Sequence, residues 1–240
     1  MMYRDFAEIY DTLMTEFDYD KAYDFVNFFV SKAEIIPEKV LEIGCGTGNF
    51  TEKLLNFREI TAFDLSDEML SIAYNKIKAG NVKFIKQDMR NFNFMEKFDI
   101  VVSICDGINY ILKESEVIDI FKNVYLHLND GGLFIFDLNT EEQFKSFNLS
   151  YVDEVNDIFY VWENFYNELD KINLYSINFF VREGDFYRRF YEEHYEKSYR
   201  NEFVVKILKE AGFKKINTFN GYEFEENIEY AKRIVYVVEK

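Results

Sequence analysis

Apolar positions along this chain switch between two spacings, and the switches lay out an ordered series of strands and helices. Val40, Leu41 and Ile43 form a short apolar strand that Gly44, Gly46 and Gly48 end abruptly. Thr47 then opens a helical pattern with Phe50, Leu54 and Leu55 on one face. Upstream, residues 20–34 repeat Phe25, Val26, Phe29 and Val30 at helical spacing, and Pro37 closes that helix. Downstream comes a strand at Glu59–Phe63 that ends on Asp64. A helix over 67–79 follows behind a Ser66 N-cap, with Asp67 and Glu68 in its first turn and Met69, Leu70, Ala73 and Ile77 inward. Val82–Lys86 reads as a third strand and Phe98–Ile104 as the most buried one. A helix over about 114–129 turns Val117, Ile120, Phe121 and Val124 inward. Asn129-Asp130-Gly131-Gly132 then predicts a turn before the strand Leu133–Asp137, with Asp137, Asn139 and Thr140 crowded at its end.

The alternation changes character after residue 149. Asp157–Tyr166, Lys171–Val181 and Phe186–Lys197 have period-two spacing rich in aromatic and β-branched residues, separated by short turn signals. These three segments predict an antiparallel sheet inserted into the α/β series. Asn201–Ala211 is again helical, closed by Gly212, and Phe213–Asn220 and Arg233–Glu239 read as two further strands.

Composition narrows the picture. The 240 residues are 48% hydrophobic and 19% aromatic, enough for one large α/β domain with an insertion, and one proline rules out a proline-rich linker. Lys+Arg 28 against Asp+Glu 44 leaves a net charge of −16. Such a surface repels phosphate backbones and anionic lipid, so nucleic acid and membrane are not expected partners. Cys45 and Cys105 are far apart and lack metal-ligand spacing, and no metal is expected. The N-terminus has no signal-peptide layout, and the expectation is a cytoplasmic protein with reduced thiols.

A strand, a glycine turn and a helix start make a ligand cradle, because glycine lets backbone turn sharply and approach a ligand closely. A dinucleotide cradle wants G-x-G-x-x-G, whereas the spacing here is G-x-G-x-G, with Asn49 in the third dinucleotide position. Glu42, two residues before Gly44, would repel a pyrophosphate. Asp64 ends the second strand 20 residues past Gly44 (64 − 44), where a carboxylate can accept two ribose hydroxyls.

Leu41-Glu42-Ile43-Gly44-Cys45-Gly46-Thr47-Gly48 resembles the first motif of the class I S-adenosylmethionine-dependent methyltransferases. Phe98-Asp99-Ile100-Val101 and the Gly131-Gly132 to Phe136-Asp137 stretch resemble later motifs of that family. The resemblance implies a Rossmann-like, seven-stranded, mostly parallel sheet with helices on both faces and an antiparallel last strand. It implies S-adenosylmethionine over the glycines and a core of residues 1–149 and 198–240, with an N-terminal lid. The antiparallel insertion, 150–197, would then cover the substrate pocket. The cofactor residues it implies are Gly44, Cys45, Gly46, Gly48, Asp64, Leu65, Met69, Asp88, Met89 and, through its backbone, Cys105. Ala7–Leu13 is similar to the family's lid segment, which brings Tyr10 to cofactor or substrate. Plain packing for Tyr10 and Met69, and turn-capping for Asp88, remain open alternatives.

Methyl transfer from a sulfonium is an in-line displacement, so positioning a nucleophile does most of the work and an amine acceptor needs no strong base. An oxygen acceptor needs one, and His194 is then the candidate, with Tyr110 also on the catalytic side. On the third insertion segment, His194 shares a face with Arg188, Phe190, Glu192 and Glu196, while Arg189, Tyr191 and Glu193 take the other. Asn109, Trp162 and Arg189 are the substrate-side candidates, and His127 is expected at the surface or as a helix cap. Asn109 stands where related amino-sugar N-methyltransferases carry a histidine. The Asn/Asp-Pro-Pro-Tyr signature of planar-amine methylation is absent. The expected acceptor is a small molecule methylated on N, O, C or S, and the expected assembly is a monomer or homodimer. A non-catalytic S-adenosylmethionine sensor is one alternative. A nicotinamide-dependent oxidoreductase is another, although it would need a third glycine at the dinucleotide spacing, where Asn49 stands.

Overall fold

The structure is a computed structural model that describes residues 4–14, 17–33, 35–146 and 150–240. The residue-149 boundary of the expected core lies outside the described residues.

The main-sheet strands are β1 (Lys39–Ile43), β2 (Glu59–Asp64), β3 (Val82–Lys86), β4 (Phe98–Ser103) and β5 (Leu128–Asn139). An inserted sheet follows with β6 (Tyr151–Val155), β7 (Ile158–Asn167), β8 (Ile172–Glu183) and β9 (Phe186–Lys197), and the main sheet finishes with β10 (Lys215–Asn220) and β11 (Arg233–Glu239). The main sheet has the order β10-β11-β5-β4-β1-β2-β3. β1 lies parallel between β2 and β4, with Leu41 opposite Thr61 on one side and Val101 on the other. β11 runs antiparallel to both β5 and β10. The seven strands with a parallel core and antiparallel β11 are the Rossmann-like arrangement expected. Strand order reverses between β1 and β4, and a crevice opens there at the carboxyl ends of the strands.

Alternate side chains of each strand supply two cores. On one face Val40, Ile60, Ile100, Val102 and Ile135 pack against α2 (Tyr19–Lys32) and α3 (Asn49–Lys53), through Phe25, Val26 and Phe50. On the other, Leu41, Ile43, Val101, Phe134 and Phe136 meet α5 (Glu114–His127) and α7 (Asn201–Ala211) through Ile120, Phe121, Val204 and Leu208. Strands buried on both faces read as continuous apolar runs, as these do.

Several elements depart from expectation. The Asn129–Gly132 signal is not a turn: β5 already starts at Leu128, and its pairing with β4 slips between Phe98 and Ile100. Gly131 takes φ 76°, and a Cβ on Gly132 would lie 2.8 Å from the Asp99 carbonyl oxygen, so the glycines make a bulge. α4 (Asp67–Lys76) stops short of residue 79, because Ile77 turns extended and fills the space against Gly48. The N-terminal α1 (Arg4–Leu13) and the short α6 (Glu141–Ser146) complete the α-helices of the described residues, and a 3₁₀ turn spans Gly107–Tyr110. The inserted sheet has four antiparallel strands, β6-β7-β8-β9, one more than the period-two segments predicted. Four of the five β6 side chains are exposed, which removes the apolar alternation that announces a strand.

His127 is neither a surface residue nor a cap. It is buried against Phe92 and accepts the Phe94 N–H at Nε2 (3.0 Å), with Nδ1 2.8 Å from the Asn123 carbonyl. These partners fix the proton on Nδ1.

Candidate functional site

The crevice at the strand ends is a cavity of about 780 Å³. The loop after β1 forms its floor. Gly44, Gly46 and Gly48 all take positive φ (72°, 53° and 83°), a backbone that side-chain-bearing residues rarely adopt. The Gly44 and Cys45 N–H groups both donate to the Phe63 carbonyl (2.8 and 3.0 Å), drawing the loop onto the end of β2.

The glycines do different jobs. A Cβ on Gly46 would enter open space, and one on Gly44 would touch only Met89 Cε at 3.6 Å, so these two face the cavity. A Cβ on Gly48 would press within 3.2 Å of Ala73 and Ile77, so Gly48 serves loop-to-helix packing instead. Cys45 is buried in the sheet core and does not line the cavity.

Asp64 bridges loop and helix. Its Oδ2 accepts the Gly46 N–H (2.8 Å) and its Oδ1 the Ser66 N–H (2.9 Å). Burial raises its pKa while those backbone donors oppose the rise. Leu65, Met69 and Met89 make the apolar wall beyond it, with Leu65 exposed at the mouth and Met69 buried. Asp88 also lines the cavity, but its two oxygens lie 2.9 and 3.0 Å from Arg90 Nε. That hydrogen-bonded guanidinium holds the Asp88 carboxyl below its usual range.

The loop after β4 forms the far wall. Cys105 and Asp106 both adopt positive φ (67° and 57°), strained for non-glycine residues. Asp137, fully buried, holds the bend by accepting the Cys105 N–H (2.7 Å) and the Asp106 N–H (3.2 Å) and by pairing with Arg233. Cys105 and Gly107 thereby face the cavity.

Tyr110 and His194 close the acceptor end. Tyr110 Oη lies 3.3 Å from His194 Nδ1, although Tyr110 belongs to the loop after β4 and His194 to β9, 84 positions on. Burial pushes the His194 imidazole down to about 4, so it is neutral at ordinary pH. Phe6 of α1 packs on the imidazole with ring centroids 5.0 Å apart. Tyr10, one helical turn on, lines the same cavity. α1 is tied down at its other end, where Asp11 accepts from Thr47 Oγ1 (2.5 Å), Asn49 Nδ2 (3.0 Å) and Lys76 Nζ (2.5 Å).

Three expected substrate residues stand elsewhere. Asn109 is fully buried, donating to the Asn139 and Lys197 carbonyls (3.0 and 2.9 Å) and accepting the Asn139 N–H (3.0 Å). It clamps β5 to the end of β9, with its side chain closed off from the cavity. Trp162 stacks on Tyr151 within the inserted sheet, outside the cavity lining. Arg189 is on the outer face of that sheet, bonded to Asn178 Oδ1. Conversely, Phe6, Arg90, Ile111 and Lys113 line the cavity without having been singled out. Arg90 had a readable signal, a cation two residues from Asp88. Phe6 had only its place one turn before Tyr10.

The cavity fits a nucleoside carrying an amino-acid tail. Gly46 leaves room beside backbone, Asp64 offers a carboxylate at the β2 end, and the Leu65–Met69–Met89 wall suits an aromatic base. Comparisons with known proteins agree with that fit. Residues 40–132 match a family model described as a methyltransferase domain. YqeM of Bacillus subtilis (strain 168), a candidate methyltransferase, is 33% identical over 89% of this chain and 87% of its own. An S-adenosylmethionine-dependent methyltransferase of Clostridium acetobutylicum ATCC 824 superposes with a TM-score of 0.89 at 36% identity, covering 99% of this chain and 98% of that one. DesVI of Streptomyces venezuelae has a TM-score of 0.80 at 21% identity over 97% of this chain and 98% of its own, a likeness of fold.

Proposed function

Since this chain belongs to the S-adenosylmethionine-dependent methyltransferases, we propose that its cavity holds the cofactor with the amino-acid end at Gly44–Gly46 and the ribose at Asp64, and that a small-molecule acceptor meets the methyl group beside Tyr110 and His194. The observation that carries this reading is continuity: one cavity runs from the glycine loop and Asp64 to the Tyr110–His194 pair. The cofactor supplies a methyl group on a sulfonium leaving group, so the chain's own work is binding, alignment and handling of a proton.

Gly44 and Gly46 admit the ligand close to backbone, and Asp64 is set to receive the ribose hydroxyls by exchanging or sharing its bonds to Gly46 and Ser66. Leu65, Met69 and Met89 provide the slot for the base, and Asp88 with Arg90 forms its polar rim. Cys105 contributes backbone. Tyr10 and Phe6 of α1 roof the chamber and keep water from the reacting atoms. Neutral His194, steered by Tyr110, takes the proton that the acceptor sheds. So weak a base suffices for a hydroxyl acceptor, because its oxygen becomes strongly acidic as the new bond to carbon forms. The net charge of −16 argues against polyanionic acceptors and leaves small molecules favoured.

The test is transfer of radiolabelled methyl from S-adenosylmethionine in a cell extract separated by size. Label in the low-mass fraction, lost in a His194→Ala variant that still binds S-adenosylhomocysteine, supports the reading. Label confined to protein or RNA contradicts it.

A further inference from the structure

Between the loop after β4 and the last turns of β9 lies a buried polar group that neither the cofactor nor His194 uses. Asp106, Asp137 and Glu196 bring three carboxyl groups within range of one guanidinium, that of Arg233. Arg233 pairs with Asp137, stands 3.7 Å from Asp106 Oδ1 and lies over the Phe17 ring. The Asn139 amide serves the other two carboxyls, donating from Nδ2 to Asp106 Oδ2 and, at 3.3 Å, to Glu196 Oε2. That single long bond is all the Glu196 carboxyl receives among the described residues, although the residue is only 3% exposed. Burial and the neighbouring Asp106 charge push Glu196 well above the usual carboxylate range.

Two amide oxygens share its condition. Asn139 Oδ1 and Asn173 Oδ1 are buried with no hydrogen-bond partner among the described residues, whereas buried polar atoms are normally paired. Asn173 opposes Glu196 in the β8–β9 register, on the same face of the inserted sheet. Neither amide can be turned over to find a partner. Asn139 Nδ2 faces carboxyl oxygens, which accept. Asn173 Nδ2 donates to Asn164 Oδ1 (2.7 Å) and Asn164 Nδ2 to the Phe144 carbonyl (3.0 Å), which fixes the direction of that chain. The complement of Glu196 and the two amide oxygens is therefore a group rich in donors and positive in charge. Among the described residues no three His, Cys, Asp or Glu side chains converge as a metal shell. A protonated amine supplies three donors and one positive charge.

The group flanks the acceptor end of the cavity. Asp106 stands between Cys105 and Gly107, which both line it, and Glu196 follows His194 by two residues on the same face of β9. Two strand residues span about 7 Å. Carboxyl groups favour the protonated form of an amine, and a protonated nitrogen has no lone pair to offer a methyl carbon. Such a nitrogen is an anchor, and the net charge of −16 favours its arrival. On the reading that the acceptor meets the methyl group beside His194, we propose that Asp106, Glu196 and the Asn139 and Asn173 amide oxygens seat a primary ammonium group of the acceptor. The acceptor is then a small amine methylated on a different atom, about 7 Å from the nitrogen.

Calorimetric titration of the full chain with S-adenosylhomocysteine present tests this. The probes are 5-amino-1-pentanol and 1-hexanol, in which a methyl group replaces the ammonium. The amino alcohol should bind one to one and at least tenfold more tightly than hexanol. Glu196→Gln should abolish that preference, and so should Asp106→Asn, a residue type that tolerates the positive φ of 57° there. Both variants should keep the rise in melting temperature with S-adenosylhomocysteine, and His194→Ala should keep the preference itself. The labelled product from cell extract should be retained on a cation exchanger at pH 7 and react with fluorescamine as a primary amine. Equal affinity of the wild type for the two probes overturns the proposal. So does a preference that survives both carboxyl substitutions, or a labelled product that passes the exchanger. The melting shift and the loss of label in His194→Ala report on the cofactor and acceptor positions alone, so a failure there is told apart from a failure of the ammonium seat.

Discussion

Asp64 commits both carboxylate oxygens to backbone donors, one from the glycine loop and one from the entry to α4, so it is at once a brace and the proposed ribose contact. Asp64→Ala should weaken S-adenosylhomocysteine binding about 10- to 100-fold, from loss of charge-assisted hydrogen bonds of roughly 1.5–3 kcal/mol, as read by calorimetry. Unchanged affinity would put the ribose elsewhere. Glu42 lies beneath the same loop, accepting from Thr51 Oγ1 at 2.6 Å. Burial pushes it up to about 8 from an ordinary 4.5; the Thr51 bond opposes the rise and the Asp64 charge adds to it. Between those values the folded chain keeps a proton that the unfolded chain has lost, so stability falls as pH rises through that window, by up to about 1.4 kcal/mol per unit. Glu42→Gln should flatten this slope, and thermal melts at pH 5 and pH 8 would show the variant gaining on the wild type at the higher pH. A parallel loss in both would contradict a protonated Glu42. That Asp64 lines the cavity could be read in the sequence because motif spacing marks strand ends, and Met69 and Tyr110, which also line it, follow in the segments just after β2 and β4. Asn109 misled, because nothing local announces that its amide is consumed by the Asn139 and Lys197 backbone.

α1 joins the two ends of the site as a single rod. Phe6 touches His194, Tyr10 lines the cavity, and Asp11 ties to Thr47, Asn49 and Lys76 around the glycine loop. Asp11→Ala removes three bonds at the loop end and leaves the apolar packing of Phe6, Ala7 and Ile9 in place. S-adenosylhomocysteine should then dissociate roughly three- to tenfold faster in stopped-flow while the thermal melt changes little, since partly exposed ion pairs contribute about 1 kcal/mol or less. An unaltered dissociation rate would mean that α1 does not retain the ligand. Elements with clean periodicity, β1, β2, β4, α7 and β11, were legible in the sequence to within a residue or so. Those governed by partners were not. β6 exists because it pairs with β7, and the Gly131-Gly132 bulge because β5 must pass the Asp99 carbonyl. Local pattern carries neither fact.

Across the whole molecule, strand order places the chemistry. Gly44, Asp64 and Cys105 end β1, β2 and the β4 segment, and the reversal between β1 and β4 opens the crevice into which all three project. The antiparallel sheet then lowers β9 onto that crevice, bringing His194 to Tyr110 across 84 residues of chain. No sequence spacing encodes that meeting; the family motif could announce the cofactor end, while the acceptor end waited on tertiary packing. The central claim is therefore one of place: cofactor and acceptor share the single cavity between the glycine loop and His194. A crystal structure of the chain grown with S-adenosylhomocysteine measures this most directly. The account predicts ligand density over Gly44–Gly46, the ribose diol on Asp64 and the sulfur turned toward Tyr110 and His194. Density at any other surface, with the glycine loop packed against side chains, would contradict it.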